Sequence, residues 1–341
     1  MPVRPTILSV LMLVAFSSGT TPAAPQVLTD FLHGKAHIVD NDIMDDAHTV
    51  EVALAAGSSG LMNLRAILVS RWVPYEDRWN AVVQQAWAAM IRTAAIKDGF
   101  ADVPPIYPGA PLGTTFDQRI PESRRIEDTA PFKTPAGYKI VEEARNCTAR
   151  SPLVVIVGGR ATCVADAYLI DPSIGDKVIV AQYLDYVGGD GRLPGYNIQQ
   201  DVWAANVVLK NFRVVAAYSA NLYDYAPEVY LDAGSDKDRS KMPGTYLKDL
   251  MCLKSHPLLR REHADGDGHG IALLHTGAGL IKSYKRWSYD RYEDGKVYLR
   301  PDPDGDVVKV LEYTSRAAVT DAWWKVVKAP GVFSDRIRTE N

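Results

Sequence analysis

Short apolar runs alternate with longer segments of helical period along most of the chain. The apolar runs predict strands at 36–40, 64–70, 153–159, 177–184 and 212–219, with a short strand or turn at 104–110. Segments of helical period lie at 47–56, 80–97, 136–149, 162–170 and 199–210. Strands and helices that alternate at this spacing predict an α/β fold with a mostly parallel sheet and helices on both faces.

Two segments depart from this alternation. Residues 111–135 are polar and rich in proline, which predicts an exposed insertion. Residues 296–313 contain two β-prone runs around a Pro/Asp/Gly turn, which predicts a C-terminal β-hairpin, followed by a last helix that contains Trp323 and Trp324. Since no repeat or clear linker interrupts the pattern, we expect residues 25–341 to form one domain.

The first 24 residues have the pattern of a secretory signal peptide. Arg4 precedes the apolar stretch 7–16, and small residues follow as far as Ala23 and Ala24. The apolar stretch is short for a membrane span, although an anchor or a frayed tail is the alternative interpretation. We therefore expect a secreted or periplasmic protein that has no membrane contact once the signal is cleaved.

Composition narrows the classes of function only slightly. The 341 residues are 47% apolar and 23% charged, as in an ordinary globular protein, and the formal net charge is −3. Without an overall basic field, nucleic-acid binding is not expected. The cysteines Cys147, Cys163 and Cys252 permit one disulfide in an oxidising compartment, but the sequence does not identify the pair.

Four carboxylates follow the first predicted strand within seven positions. The stretch HIVDNDIMDDA, residues 37–47, contains Asp40, Asp42, Asp45 and Asp46. Ligands bind beyond the carboxyl ends of strands in open parallel sheets, and hard cations such as Ca2+ prefer oxygen ligands. The alternative is that Asp45 and Asp46 stabilise the N-terminus of the following helix. The stretch alone does not decide between the two.

Several segments in a fixed order extend the pattern. VDNDIMDDA resembles the Asp-x-Asp-x-x-x-Asp-Asp opening of the nucleoside hydrolase family, the inosine–uridine-preferring nucleoside N-ribohydrolases. The stretches VPPIYPGA (103–110), VIVGGRATCVADAYLIDPSI (155–174), YVGG (186–189) and YNIQQDVWAANVVL (196–209) are similar to later family segments. The resemblance runs from about residue 36 to the C-terminal β-runs, and it implies the doubly wound fold with a tightly bound Ca2+ beneath a ribose pocket.

The resemblance also implies a set of site residues. Asp42 would bind the metal and act as general base, Asp46 would be a second carboxylate ligand, and Thr162 would offer its backbone carbonyl. Asp45 and Asn197 would hydrogen-bond the ribose hydroxyls. The late metal ligand best fits Asp267, with Asp265 as the second choice. These residues are Asp42, Asp45, Asp46, Thr162, Asn197 and Asp267.

The chain departs from the family pattern at several of these points. Only two residues separate Asp42 from Asp45 where the family usually has three, and Gly195 stands where the family has a glutamate that contacts the ribose. No asparagine follows the second strand, and Gly266 replaces the histidine that usually precedes the late aspartate. These changes affect sugar recognition and leaving-group protonation more than metal binding, and they make an altered substrate as plausible as an ordinary nucleoside.

We therefore predict a Ca2+-dependent hydrolase that releases a base from a nucleoside or cleaves a related N-glycoside. The alternative is a non-catalytic protein that binds a sugar or nucleoside on the same fold with the help of a metal. His263, His269 and His275 are candidates for protonating the leaving base, although each is individually more typical of a surface histidine. The expected partner is a small molecule, and the resemblance allows a homo-oligomer whose interface the sequence does not identify.

Overall fold

A nine-stranded sheet forms the centre of the protein. The computed structural model describes residues 35–41, 47–70, 81–110, 114–182, 184, 187–216, 281–313 and 315. The strands are β1 (Ala36–Asn41), β2 (Asn63–Val69), β3 (Ile106–Pro108), β4 (Leu153–Val157), β5 (Val178–Gln182), β6 (Arg213–Ala216), β7 (Ile281–Glu293), β8 (Lys296–Pro301) and β9 (Val307–Tyr313). The α-helices are α1 (Ala47–Ser58), α2 (Ala81–Lys97), α3 (Pro135–Arg145), α4 (Thr162–Ile170), α5 (Tyr196–Gln199) and α6 (Val202–Asn211).

The order of the strands in the sheet is β3-β2-β1-β4-β5-β6-β9-β7-β8. Neighbouring strands from β3 to β9 are all parallel, and β7 is antiparallel to both β9 and β8. The sheet is therefore mostly parallel, as the sequence predicted.

Helices cover the sheet on both faces. Alternate strand residues such as Ile38, Val155 and Val180 lie in one apolar cluster with the buried side chains of α3, α4 and α6. The intervening residues, among them Val39 and Ile156, are equally buried on the opposite face. There α1 and α2 contact each other and the strands β1, β2 and β3. Burial on both faces explains why these strands appear as continuous apolar runs, and the predicted fold class is confirmed.

The predicted C-terminal hairpin is confirmed, although it uses a different strand from the one expected. The hairpin joins β7 to β8 through Asp294 and Gly295, whose positive φ angles of 49° and 69° suit a tight two-residue turn. The two runs that were expected to pair with each other are β8 and β9. That pairing is wrong, because β7 lies between them and pairs with both.

The segment expected to be an exposed insertion is attached to the core at specific points. Most of its described residues from 114 onwards are exposed, but Phe116 and Ile126 are buried in the apolar cluster. Phe116 begins one short 3₁₀ helix, Phe116–Arg119, and Ile126 begins another, Ile126–Asp128. These anchors bring the segment against the start of α6, where it supports the site described below.

The described helices give no sign of a membrane span. None of them is both long enough and apolar enough to cross a bilayer.

Candidate active site at the carboxyl edge of the sheet

Polar residues collect where β1, β2, β4 and β5 end. Asp40 on β1 lies in register with Val157 on β4, which lies in register with Gln182 on β5. The backbone N–H of Gly158 donates to the carbonyl of Asp40 at 2.9 Å, and that of Ser70 donates to the carbonyl of Asn41 at 3.1 Å. The parallel strands thus end together at one edge, which is where open α/β sheets bind ligands.

Asp40 is a fully buried carboxylate at the centre of this edge. Burial raises the pKa of Asp40 from 3.8 to about 6, against the opposing effects of Cys163, Ser70 and the charge of Arg160. Neither of its carboxylate oxygens has a hydrogen-bond partner of ordinary geometry among the described residues. Cys163 and Ser70 are near enough to lower the pKa of Asp40 but form no well-oriented hydrogen bond with it, so its oxygens keep acceptor capacity for another group.

Close packing holds the neighbours of Asp40 in place. Cys163 lies in the first turn of α4, and burial together with the charge of Asp40 raises the pKa of its thiol well above the ordinary value. A Cβ atom at Gly109 would lie 2.7 Å from the sulfur of Cys163 and 2.9 Å from the carbonyl oxygen of Val69. A glycine is therefore required at position 109 for β3 and α4 to approach this closely.

Two more side chains at the same edge are buried without complete hydrogen bonding. Arg160 is 1% exposed, and its Nε and Nη1 have no partner among the described residues. Gln182 is 2% exposed, and neither atom of its side-chain amide has a partner there. Such groups are rare in folded proteins because each one costs free energy, and at a functional site they indicate a missing ligand, ion or water.

Thr162 belongs to a second network in which the polar atoms are paired. Its hydroxyl donates to Oδ2 of Asp201 at 2.7 Å. The other donors to Asp201 are the N–H of Phe116, at 3.1 Å from each oxygen, and the N–H of Ala204, at 3.1 Å from Oδ1. Burial raises the pKa of Asp201 to about 6, and the charge of Asp117 adds to the effect. The network ties α4, α6 and the 3₁₀ helix at Phe116 together.

Asn197 lies beside the loop that follows β4. Its Nδ2 donates to the carbonyl of Gly158 at 2.8 Å, and its Oδ1 accepts from Nε2 of Gln200 at 3.4 Å. Asn197 thus contacts the short stretch 158–162 at the carboxyl edge, and Thr162 is part of that stretch. The structure brings these two predicted site residues to the same place, and their assigned roles towards sugar and metal stay predictions.

The other predicted site residues lie outside the described residues. These are Asp42, Asp45, Asp46 and Asp267, together with the alternative Asp265. Within the described part of the chain, no group of three or more histidine, cysteine, aspartate or glutamate side chains is arranged to hold a metal. The proposed Ca2+ ligand set therefore stays a prediction.

Three of these buried polar residues were not predicted from the sequence, namely Arg160, Gln182 and Asp201. Each had a local signal: Arg160 is a lone cation between small residues just after an apolar strand, and Gln182 ends the run VIVAQ. Asp201 directly precedes an apolar helical segment, which is typical of an N-cap. Their burial, which makes them notable, depends on contacts between distant segments and cannot be read from local sequence.

Comparison with solved structures identifies the fold. The inosine–uridine-preferring nucleoside hydrolase of Bacillus anthracis has a TM-score of 0.58 and 12% identity, with 86% of this chain and 99% of that one covered. The purine-preferring ribonucleoside hydrolase of Gardnerella vaginalis has a TM-score of 0.54 and 14% identity, with coverage of 87% and 100%. The type III effector XopQ, solved with adenosine diphosphate ribose, has a TM-score of 0.51 and 13% identity, with coverage of 91% and 99%.

Sequence comparison adds nothing to this result. No protein-family model matches the chain, and no curated protein matches it significantly. At 12–14% identity the structural likeness establishes the fold. The protein has the nucleoside hydrolase fold over most of its length, as the sequence resemblance implied.

Proposed function

We propose that this protein hydrolyses the N-glycosidic bond of a nucleoside or a related N-glycoside at the carboxyl edge of its sheet. The observation that carries the proposal is the row of buried, incompletely bonded polar groups formed by Asp40, Arg160 and Gln182 on a nucleoside hydrolase fold. The solved structures of similar fold include enzymes described as nucleoside hydrolases, and one complex with adenosine diphosphate ribose. These groups need a polar ligand, and a ribosyl compound can supply one.

The residues suit the chemistry of N-glycoside cleavage. The sugar develops positive charge in an oxocarbenium-like transition state, so negative charge near the ring lowers the barrier. Asp40 supplies a carboxylate that is shielded from solvent, where its field acts more strongly than in water. Asn197, whose Nδ2 donates to the carbonyl of Gly158 at the same edge, would contact the sugar hydroxyls, as the resemblance implies. The resemblance assigns the removal of a proton from the attacking water to Asp42.

A Ca2+ ion fits the donor chemistry of this edge. The two oxygens of Asp40 make no hydrogen bond of ordinary geometry with the described residues, and Asp40 lies two positions before the predicted ligand Asp42. Asp46, Asp267 and the carbonyl of Thr162 would complete a set of oxygen ligands, which Ca2+ prefers. When bound, the ion would orient the sugar hydroxyls and make a water more acidic.

Release of ribose from a panel of purine and pyrimidine nucleosides tests the proposal. The mature chain should release ribose when Ca2+ is present and lose this activity after chelation. Asp42→Asn should reduce turnover by about a hundredfold or more, because it removes the general base. The matched control is Asp102→Asn, since Asp102 is exposed and its φ of 51° is one that asparagine tolerates. Equal activity of the two variants would contradict the role of Asp42. If neither the nucleosides nor their 5′-phosphates, added to the same panel, release a sugar, the proposed reaction is wrong.

A non-catalytic binding protein is the second candidate, and Gly195 favours it. Gly195 is the N-cap of α5, two residues before Asn197, and it has no side chain to replace the glutamate of the family pattern. This candidate predicts that calorimetry detects binding of a nucleoside or sugar that the protein never converts. Turnover that Asp42→Asn abolishes would exclude it.

A further inference from the structure

Arg160 is a buried cation at the proposed ligand-binding edge to which none of the steps of the reaction described above assigns a role. It is 1% exposed at the carboxyl edge, and its Nε and Nη1 have no partner among the described residues. The charge of Arg160 lowers the pKa of Asp40, but neither oxygen of Asp40 hydrogen-bonds the guanidinium. A buried guanidinium costs several kcal/mol unless hydrogen bonds and an opposite charge compensate it. Arg160 therefore has unused capacity to bind an anion.

The start of α4 adds a second, independent observation at the same place. The helix begins at Thr162, two residues after Arg160, and runs for nine residues. Its N-cap is Ala161, which is 1% exposed and cannot cap with its side chain, and the first turn contains no acidic residue. The first N–H groups of a helix lack acceptors within the helix, and together with the helix dipole they attract anions.

We infer that Arg160 and the first turn of α4 form an anion subsite, so that the substrate carries a phosphoryl group. This inference rests on the proposed function, since it places the subsite within the same ligand-binding edge. A phosphoryl group brings both the opposite charge and several acceptor oxygens, and a guanidinium and helix N–H groups are its usual partners. A neutral nucleoside brings acceptors alone, and Asp40 then stays the only charge in the described residues that is known to act on Arg160. The preferred substrate is accordingly a phosphorylated ribosyl compound.

Binding of ribose 5-phosphate and of ribose, measured by calorimetry on the full mature chain, tests the inference without turnover. The wild-type protein should bind ribose 5-phosphate about ten- to hundredfold more tightly than ribose, which is the factor that a charged hydrogen bond produces. In Arg160→Gln this preference, taken as the ratio of the two affinities, should fall to about threefold or less, whatever the change in the affinity for ribose itself. Arg160→Lys, which keeps the charge and loses the planar donors, should lie between the two.

The matched control is Arg150→Gln, because Arg150 is exposed just before β4 and Arg160 lies after it. This control should keep the full preference. Inorganic phosphate should displace ribose 5-phosphate and acetate should not; equal competition by acetate would assign the subsite to carboxylates. If Arg160→Gln does not fold, the comparison in the wild type still decides.

Equal affinity of the wild type for the two sugars would overturn the inference and would leave Arg160 as a counter-ion of Asp40. The same conclusion follows if Arg160→Gln keeps the preference. These outcomes are separate from failure of the proposed function. A protein that prefers the phosphorylated sugar and hydrolyses neither nucleosides nor their 5′-phosphates retains the subsite and loses the reaction. A protein that hydrolyses nucleosides and shows no preference loses the subsite alone.

Discussion

Two buried aspartates at the carboxyl edge of the sheet have similar acidity and opposite surroundings. Burial raises the pKa of both Asp40 and Asp201 to about 6. Asp201 accepts hydrogen bonds from Thr162, Phe116 and Ala204, which join three segments of the chain. Asp40 has no such partner among the described residues. The difference separates a polar group whose hydrogen bonds join parts of the fold from one whose oxygens are available to the ligand that we propose.

The same division applies to the neighbours of each aspartate. Around Asp201, Asp117 caps the start of α6, with 2.8 Å from its Oδ1 to the N–H of Trp203. Around Asp40, the side chains of Arg160 and Gln182 are buried with unpaired atoms. Removing a paired group should therefore cost stability, whereas removing an unpaired group should cost binding and spare stability.

Asp201→Ala is expected to produce the largest effect. The change removes the N-cap of α6 and leaves the hydroxyl of Thr162 and the N–H of Phe116 buried without an acceptor. We expect the free energy of unfolding to fall by about 3–5 kcal/mol, as for other buried hydrogen-bonded charges. Urea unfolding measures the loss. A loss below about 1 kcal/mol would show that the network around Asp201 does not hold these segments together.

Gln182→Met should have the opposite effect on the free energy of unfolding. Methionine has a similar shape, and it replaces a buried amide whose two polar atoms have no partner among the described residues. We expect the free energy of unfolding to rise by about 2 kcal/mol, because an unpaired buried amide is removed without leaving a cavity. Ligand binding at the edge should weaken in the same variant.

Gln200→Met is a suitable control for Gln182→Met, because the amide of Gln200 is hydrogen-bonded to Asn197. This control should lower stability where Gln182→Met raises it. If both variants are destabilised to the same extent, the side chain of Gln182 contributes to stability through packing. Gln182 would then not be an unpaired group whose removal spares stability.

Some features of these regions could be predicted from the sequence and others could not, for a physical reason. Apolar runs and helical period depend on local sequence, so β1 and α4 were predicted nearly to the residue. The parallel order of the strands, which the sequence predicted, also predicts that ligands bind at the carboxyl edge, and this stays a prediction. The sequence did not reveal the burial of Arg160, because burial depends on which distant segments cover a residue.

The strand partners near the C-terminus illustrate the same limit. Both β8 and β9 were predicted as strands from their β-prone runs, but their pairing was wrong because β7 inserts between them. Local pattern gives the type of an element, and its neighbours in a sheet are decided by long-range pairing.

The smallest expected effect is on the pH dependence of stability. It tests whether burial raises the pKa of Asp201 in spite of the hydrogen bonds at its oxygens. Its pKa is about 6 in the folded protein and 3.8 as the ordinary value. Between these values the folded state binds more protons than the unfolded state, so this residue's contribution to stability increases as the pH falls. From pH 7.5 to pH 5 the gain amounts to about 1.4 kcal/mol.

Asp201→Asn cannot take up this proton, so the stability of the variant should fall further below that of the wild type at pH 5 than at pH 7.5. Urea unfolding of both proteins at the two pH values cancels the contribution of Asp40, which is present in each. A stability difference that is the same at both pH values would mean that Asp201 remains ionised in the folded protein, and that the four hydrogen-bonded contacts at its oxygens outweigh the cost of its burial.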